Sequence, residues 1–327
     1  MSFDEVLGHD VARAYLARAF RHGRISHAYL LSGPEGIGKA LLARQLAAAL
    51  LCRQSGVDDQ NAEQIDGCGD CGGCQAIESG NHGGLQILDS AEGRGIDLAS
   101  LREMMRSLSL RSGDRRIVII DPAERLQEAA ANALLKILEE PAQGVVFLLC
   151  SHRPAQLLRT IVSRCQQISI GPLTREAFLE VLSRYPIDAA IAEQLFVGIG
   201  GRPGAAIGLY EAMQRCGGEV PFREILQHPP RDARNLVALA DVEGGQSDRE
   251  AVYQTIRILA DGVWAFRSDD VDGRRLAAGR ATMLAHVARH VERSGSPDLC
   301  LEATLMILSA LDLDQLRLRM PRSLGVA

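Results

Sequence analysis

A glycine-rich loop between a short apolar strand and a helix constrains this chain more than any other feature. Residues Ala28–Ser32 have the composition of a buried strand, and the loop Gly33–Lys39 follows directly. Residues 40–52, rich in alanine and leucine, predict a helix that begins where the loop ends. A Gly-x4-Gly-Lys loop in this position is typical of a P-loop, whose backbone N–H groups and helix N-terminus bind phosphate oxygens. The sequence therefore predicts a phosphate-binding α/β domain.

Short apolar strands alternate with helices through the first half of the chain. The other strands are predicted at Leu85–Leu88, Arg116–Asp121, Val145–Cys150 and Gln166–Ile170, with helices at 97–110 and 123–139. This alternation predicts βαβ units around a buried parallel sheet. After Pro172 only helices are predicted, at 174–184, 187–198, 203–215, 248–267, 274–293 and 298–318. We therefore predict an α/β domain over 1–171, a small helical lid domain over 172–215 and an all-α C-terminal domain over 216–327.

Composition and charge exclude several classes of protein. The 327 residues are 46% hydrophobic and 24% charged, which excludes a disordered chain and a coiled-coil rod. No apolar run approaches the roughly 18–20 residues that span a bilayer, and no signal peptide is visible, so we expect a cytoplasmic protein with no membrane association. The net charge of −5 argues against tight nucleic-acid binding by this chain alone.

The candidate nucleotide-binding residues lie in the loop and at the end of a later strand. They are Gly33, Gly36, Gly38, Lys39 and Asp121. The glycines let backbone N–H groups surround phosphate oxygens, and the Lys39 ammonium would reach the terminal phosphates. Asp121 ends its strand where a metal-coordinating carboxylate is expected.

Two positions beside these residues depart from the pattern of a hydrolysing enzyme. Ala40 replaces the Ser or Thr whose hydroxyl ligates Mg²⁺, and Pro122 replaces the Glu that would activate water. Losing both groups predicts hydrolysis slower by several orders of magnitude. ATP or ADP could still bind without being hydrolysed, or the loop could persist only as a structural turn; the sequence leaves both open.

Four cysteines close in sequence form the second chemical feature. They are Cys52, Cys68, Cys71 and Cys74, within an insertion at about 52–84 that has little predicted secondary structure. Four thiolates at such spacing predict a closed, structural Zn²⁺ site. An iron–sulfur cluster is the alternative, but Glu78 stands where a ferredoxin-type run has its fourth Cys. His82 is a candidate substitute ligand.

Several motifs occur together around these features. They are Gly23-Arg24-x2-His27-Ala28-Tyr29, the four-Cys insertion after the loop helix, the segment Ala129–Pro141 and Ser163-Arg164-Cys165. In this combination the chain resembles the delta prime subunits of bacterial DNA polymerase III, a family of AAA+ clamp-loader proteins. The resemblance is close over residues 5–172 and looser at Gly201–Ala205 and in the helical tail.

The resemblance implies a fold, partners and one chemical role. The α/β and lid domains would form an AAA+ module, and the C-terminal domain would be the collar of a hetero-oligomer. Delta prime subunits do not hydrolyse ATP; they support gamma/tau and delta subunits that load a sliding clamp onto primed DNA. Arg164 would be an arginine finger that enters the ATP site of a neighbouring gamma/tau subunit, where such a group contributes about 10³–10⁵ in rate.

Two other functions and two residues stay open. The chain could be an active AAA+ ATPase that holds Mg²⁺ through water, or a zinc-bearing nucleic-acid-binding module. Arg202 lies where active relatives place a nucleotide-sensing arginine, and we predict that it does not sense nucleotide here. Lys136 lies on a helix with Glu140, and either a solvated helix face or a contact with a neighbour or DNA would fit it.

Overall fold

A computed structural model describes residues 6–52, 67–89, 95–109, 115–239, 249–293, 296–310, 312, 314 and 315. The chain divides into two compact units, Met1–Val181 and Leu182–Ala327. The predicted division into three domains is finer than these two units and stays a prediction. Part of the predicted insertion, residues 53–66, and the end of the last predicted helix, residues 316–318, lie outside the described residues.

Five parallel strands form the sheet of the first unit. In chain order they are β1 (Ala28–Ser32), β2 (Leu85–Asp89), β3 (Arg116–Asp121), β4 (Val145–Ser151) and β5 (Gln166–Ser169). Their order across the sheet is β2-β3-β4-β1-β5, so that β1 pairs with β4 and β5. The predicted parallel sheet is confirmed, and each strand ends within one residue of its predicted bounds.

The central strands of the sheet are buried on both faces, because successive residues of these strands enter different hydrophobic cores. In β1, Tyr29 and Leu31 belong to one core, whereas Ala28 and Leu30 belong to the other. Both sets of side chains are almost wholly buried. Burial on two faces explains why these strands read as continuous apolar runs rather than as an alternating pattern.

Helices cover the two faces. They are α1 (Asp10–Arg21), α2 (Lys39–Leu51), α3 (Gly72–Glu78), α4 (Leu98–Ser109), α5 (Glu128–Glu139), α6 (Arg159–Val162) and α7 (Arg175–Leu182). The Asp97 carboxylate caps α4 by accepting the N–H of Ser100 at 2.8 Å. Helix α3 lies in the insertion that was expected to have little secondary structure. It forms because the thiol of Cys71 accepts the N–H of Cys74 and so caps the helix.

The single helix predicted over 123–139 is wrong. A 3-10 turn at Ala123–Arg125 precedes α5, and the chain between them is extended. There the backbone pairs with Ile96, whose N–H donates to Arg125 and whose carbonyl accepts from Gln127, at 2.8 and 2.9 Å. These two hydrogen bonds replace helical ones, so a tertiary contact overrides the local helical pattern.

The second unit is helical throughout its described residues. Its helices are α8 (Ala189–Ile199), α9 (Pro203–Arg215), α10 (Glu219–Gln227), α11 (Arg249–Ala265), α12 (Val271–Arg293) and α13 (Pro297–Leu308), with a 3-10 segment at Ala233–Leu239. The pattern from about 220 to 320 predicts helices in general, and α10 lies at the start of this stretch, although no bounds were predicted for it. Among the described helices, none is both long and apolar enough to cross a membrane.

Candidate functional site

The carboxyl ends of the central strands gather the predicted nucleotide-site residues at one edge of the sheet. The loop Gly33–Lys39 leaves the end of β1, Asp121 ends β3 and Ser151 ends β4. The N–H of Gly33 donates to the carbonyl of Ser151 at 3.1 Å, which joins the loop to the neighbouring strand. This edge is where open α/β sheets bind ligands.

The loop needs its glycines for two different reasons. A Cβ on Gly33 would lie 2.2 Å from the carbonyl oxygen of Ile170, so only glycine lets the two segments approach. Gly38, the residue before α2, has a φ of +100°, and Gly36 has a φ of +76°. Side chains strain such conformations, so the turn that aims backbone N–H groups at a phosphate depends on these residues.

Lys39 lies inside the loop rather than in solvent. Its ammonium donates to the carbonyls of Gly33 and Pro34 at 2.9 and 2.8 Å. Burial lowers the pKa of Lys39, while the negative charges of Asp121 and other nearby acidic groups oppose this shift. The ammonium is therefore held within the loop, where the pattern requires a phosphate-binding cation.

Asp121 lies beside this ammonium in a poorly solvated place. Burial raises the pKa of Asp121, and the charge of Lys39 opposes this shift without cancelling it. Its neighbour Pro122 has no side-chain oxygen, and Ala40 in the first turn of α2 has none either. The site thus retains the backbone cradle, one cation and one carboxylate, but has neither the hydroxyl ligand nor the water-activating carboxylate at the expected positions.

Sequence reasoning missed an ion pair in this cluster. Nδ1 of His152 lies 2.6 Å from Oε1 of Glu124, whose side chain is only 3% exposed. Burial acts to raise the pKa of Glu124, but the hydrogen bond and charge of His152 outweigh it and hold the pKa at about 2. Glu35 of the loop lies on the other side, 3.8 Å from Nε2 of His152. The position of Glu124, three residues after Asp121, was the only signal available.

The four predicted metal-ligating cysteines come together. Their sulfur atoms all lie within 4.8 Å of one another. The sulfurs of Cys52 and Cys71 are 3.8 Å apart, and those of Cys68 and Cys74 are 4.0 Å apart. A tetrahedral metal with bonds of about 2.3 Å to sulfur separates its ligands by about 3.8 Å. The distances therefore suit a tetrahedral tetrathiolate, and the group could hold a metal ion.

The backbone around this cluster also suits anionic sulfur. The N–H groups of Cys68, Cys71 and Cys74 point to sulfurs of other members of the cluster at 3.3 to 3.4 Å. Burial raises the pKa of Cys74 to about 12, so a thiolate there needs a cation beside it. His82 uses Nδ1 to accept the N–H of Gly84 at 3.0 Å.

The Ser163-Arg164-Cys165 segment presents Arg164 at the surface. Cys165 is buried in the core, and the hydroxyl of Ser163 donates to the carbonyl of Thr160 at 3.1 Å. The Arg164 guanidinium donates to the same carbonyl at 3.0 Å and to Oε1 of Glu139 at 2.7 Å, with 35% of its side chain exposed. The segment precedes β5, an edge strand of the sheet. Sequence reasoning missed that Glu139 and Thr160 orient the arginine.

The two residues left open have different surroundings. Arg202 forms an ion pair with Asp261 at 2.7 Å and donates through Nε to the carbonyl of Ile199. Both contacts lie within the second unit. Lys136 is exposed on α5, one turn before Glu140. A role for either residue in binding nucleotide, DNA or a neighbour stays a prediction.

One family model and two relatives each match about half of the chain. The family model described as DNA polymerase III, delta subunit, matches residues 8–174. DNA polymerase III subunit delta prime of Pseudomonas aeruginosa is 40% identical over 183 residues, which are 54% of this chain and 54% of the relative. The same subunit of Bacillus subtilis is 33% identical over 182 residues, 55% of this chain and 53% of the relative. The match thus spans about half of the delta prime relatives' length.

Structural similarity extends further along the chain. A DNA polymerase III gamma subunit-related protein from Thermotoga maritima matches 93% of this chain and 99% of its own, with a TM-score of 0.50 at 17% identity. This likeness shows the fold alone, a parallel α/β domain followed by helices. Family model, relatives and fold agree: the chain belongs to the DNA polymerase III delta subunit family, as a clamp-loader protein of the delta prime type.

Proposed function

We propose that this chain is a clamp-loader subunit that does not hydrolyse ATP and supplies Arg164 to the ATP site of a neighbouring subunit. It would join gamma/tau and delta subunits in a hetero-oligomer, as a scaffold for loading a sliding clamp onto primed DNA in the cytoplasm. The observation that carries this proposal is the contrast between an incomplete phosphate site and an arginine displayed at the surface.

The presentation of Arg164 supports its action in trans. An arginine finger must reach a phosphate on another chain, so its guanidinium has to be exposed and held in a defined orientation. Glu139 and the carbonyl of Thr160 hold the guanidinium from the chain's own side. The planar, permanently charged fork of arginine can exchange the exposed carboxylate of Glu139 for phosphoryl oxygens. Glu139 is 43% exposed, so this exchange breaks only a weak, solvated pair.

The arrangement around Lys39 supports the absence of hydrolysis. Ala40 and Pro122 remove the expected metal ligand and the expected base. Glu124 is a further carboxylate beside this site, but its ion pair with His152 keeps its pKa at about 2. A carboxylate of such low proton affinity is a weak general base. Nucleotide could be bound through the loop backbone without being hydrolysed.

The four-cysteine cluster would hold a structural Zn²⁺. Cys52, Cys68, Cys71 and Cys74 supply four sulfur ligands, which closes the coordination sphere and leaves no position for substrate. The metal would fix α3 against the end of α2. We assign it no step in ATP chemistry.

The test is ATP turnover by the gamma/tau–delta complex of the same organism, with clamp and primed DNA. We expect the chain to stimulate turnover and Arg164→Ala to lose most of that stimulation, because a finger contributes about 10³ or more at the site it serves. Arg164→Lys should restore little, since lysine lacks the planar fork. Arg159→Ala, which removes another exposed arginine on α6, is the matched control.

Each variant must first co-elute with the complex in size-exclusion chromatography. Equal turnover with wild-type chain and an assembled Arg164→Ala variant would contradict action in trans and leave a scaffold role. ATP turnover by the isolated chain would instead support an active ATPase. Tight, salt-sensitive DNA binding by the isolated chain would support a nucleic-acid-binding module.

A further inference from the structure

A pocket in the second unit is lined by three arginines. It lies among α10, α11, α12 and the turn between the last two helices, with a volume of about 190 Å³. Its arginines are Arg223, Arg267 and Arg280, while Phe266 and aliphatic residues supply apolar surface. In the described part of the chain, no acidic residue is among those that line it. The lining is therefore cationic and partly apolar.

Two of these arginines have only neutral partners among the described residues. Arg267 donates to the carbonyl of Trp264 at 2.6 Å and stacks on the Trp264 ring at 4.6 Å. Arg280 donates to the carbonyl of Ala310 at 2.5 Å, and burial lowers its pKa. Both guanidiniums are thus partly removed from water without a neutralising carboxylate.

The third arginine is neutralised. Arg223 pairs with Glu219 at 2.6 Å and lies over the Phe266 ring at 4.7 Å. Asp270, next to the pocket, is engaged by the N–H of Gly273 and the hydroxyl of Ser268. These two carboxylates leave a net positive charge on the lining.

The arginines also share an unmet hydrogen-bonding requirement. The Nε atoms of Arg223, Arg267 and Arg280 are all buried, and none has a hydrogen-bond partner within the described residues. Buried donors of native proteins are nearly always paired, so three unpaired donors around one pocket indicate a missing acceptor. An anionic oxygen forms the strongest hydrogen bonds to guanidinium and would also neutralise the charge.

We propose that this pocket binds a carboxylate or phosphate that is joined to an apolar group. The oxyanion would contact Arg267 and Arg280, and the apolar part would pack on the aromatic and aliphatic surface. This combination of a few polar groups with an apolar wall is typical of small-ligand pockets. The site includes neither the P-loop nor Arg164, so this proposal can be tested independently of the function proposed above.

The test measures binding of three small probes to the full chain by titration calorimetry and ligand-observed NMR. The probes are 3-phenylpropionate, phenyl phosphate and the neutral 3-phenylpropanamide. We expect saturable binding of at least one anion and binding of the amide that is weaker by about tenfold or more, the loss of one charge-assisted hydrogen bond. A preference for the carboxylate would indicate an acidic peptide as the natural ligand, and a preference for phenyl phosphate would indicate a phosphorylated one.

Two pocket variants and one control locate the binding. Arg267→Gln and Arg280→Gln should each weaken anion binding by about tenfold, for the same reason. Arg275→Gln, which changes an exposed arginine of α12 outside the pocket, should leave it unchanged. Thermal melts identify any unfolded variant. Arg280→Gln loses the hydrogen bond to Ala310 and could fail to fold for that reason. The Arg267→Gln variant then still tests the proposal. Equal affinity for anions and amide, no saturable binding, or equal losses in folded Arg267→Gln and Arg275→Gln would overturn the proposal.

Discussion

The two ends of helix α2 carry two different candidate ligand sites. At its N-terminus, Lys39 closes a loop that can surround phosphate with backbone N–H groups, whereas at its C-terminus Cys52 joins three later cysteines. The first site is built from backbone and the second from side chains. The loop conformation can be retained when catalytic side chains are replaced, because the fold still needs the turn between β1 and α2. A thiolate site needs every member of its set.

The groups that surround the two ends of α2 also differ. Around Lys39 the ammonium has two carbonyl acceptors, and Glu124 pairs with His152. Around Cys52 the four sulfurs lie within 4.8 Å of one another, an arrangement that could hold a metal ion. We therefore expect the cysteine end to depend on metal and the loop end to be stable without nucleotide. The following predictions test this contrast.

The largest expected effect is loss of metal from the cysteine end. We expect one Zn²⁺ per chain, and Cys71→Ser to lose it, because structural zinc contributes about 10–16 kcal/mol of binding free energy that one missing thiolate sharply reduces. Metal content by atomic absorption and thermal melting measure the effect. The control is Cys216→Ser, which changes a partly exposed cysteine outside the cluster. A wild-type chain that folds without metal would show that the cysteine end does not depend on metal, and would contradict the expected difference between the two ends of α2.

A smaller effect is expected from breaking the ion pair near Lys39. Glu124→Gln should lower the free energy of unfolding by about 3 kcal/mol near pH 5, where both members of the pair with His152 are charged, from the depressed pKa of Glu124. Because this pKa is about 2 in the folded chain and 4.5 without the shift, the difference from wild type is present above pH 4.5 and disappears as pH falls toward 2. Urea denaturation at several pH values measures it. A difference that does not change with pH would show that the charge of Glu124 contributes nothing.

Overfilling the loop should cost somewhat less. Gly33→Ala places a methyl group 2.2 Å from the carbonyl oxygen of Ile170, so the backbone must move, at a cost of about 1–3 kcal/mol. Gly171→Ala, which changes a neighbouring glycine with open space around its Cβ position, should cost much less. Denaturant unfolding of both variants gives the comparison. Equal stabilities would show that the loop adapts and is not tightly constrained.

The smallest effect is expected from restoring one missing ligand. Ala40→Thr returns the hydroxyl that coordinates Mg²⁺ and should strengthen binding of Mg-ATP by several-fold, without turnover, because Pro122 still lacks a base. Titration with and without Mg²⁺ measures the change. The control is Ala40→Val, which adds a similar volume without an oxygen. A threonine at Ala43 would not serve, because Ala43 is fully buried. Turnover by the Ala40→Thr chain would show that Glu124 can act as the base.

Much of the fold was predictable because it depends on local pattern. The strands were recognised as short apolar runs, and the loop and the four cysteines by residue type and spacing. The Ser163–Cys165 segment indicated its arginine only through the resemblance to a known family. Two predictions failed for different reasons: the 123–139 helix is interrupted by pairing with Ile96, which is distant in sequence, and α3 begins at a cysteine that caps it.

The sequence by itself determined where the backbone can turn and which functional side chains exist. Only the tertiary structure decided which of them meet: Glu124 reaches His152 across 28 residues, and Glu139 reaches Arg164 across 25. The arginines of the pocket likewise come from two helices, α10 and α12, and from the turn after α11, with no shared motif. The reason is physical. Propensity and spacing act over a few residues, whereas these partners are set by strand order and helix packing.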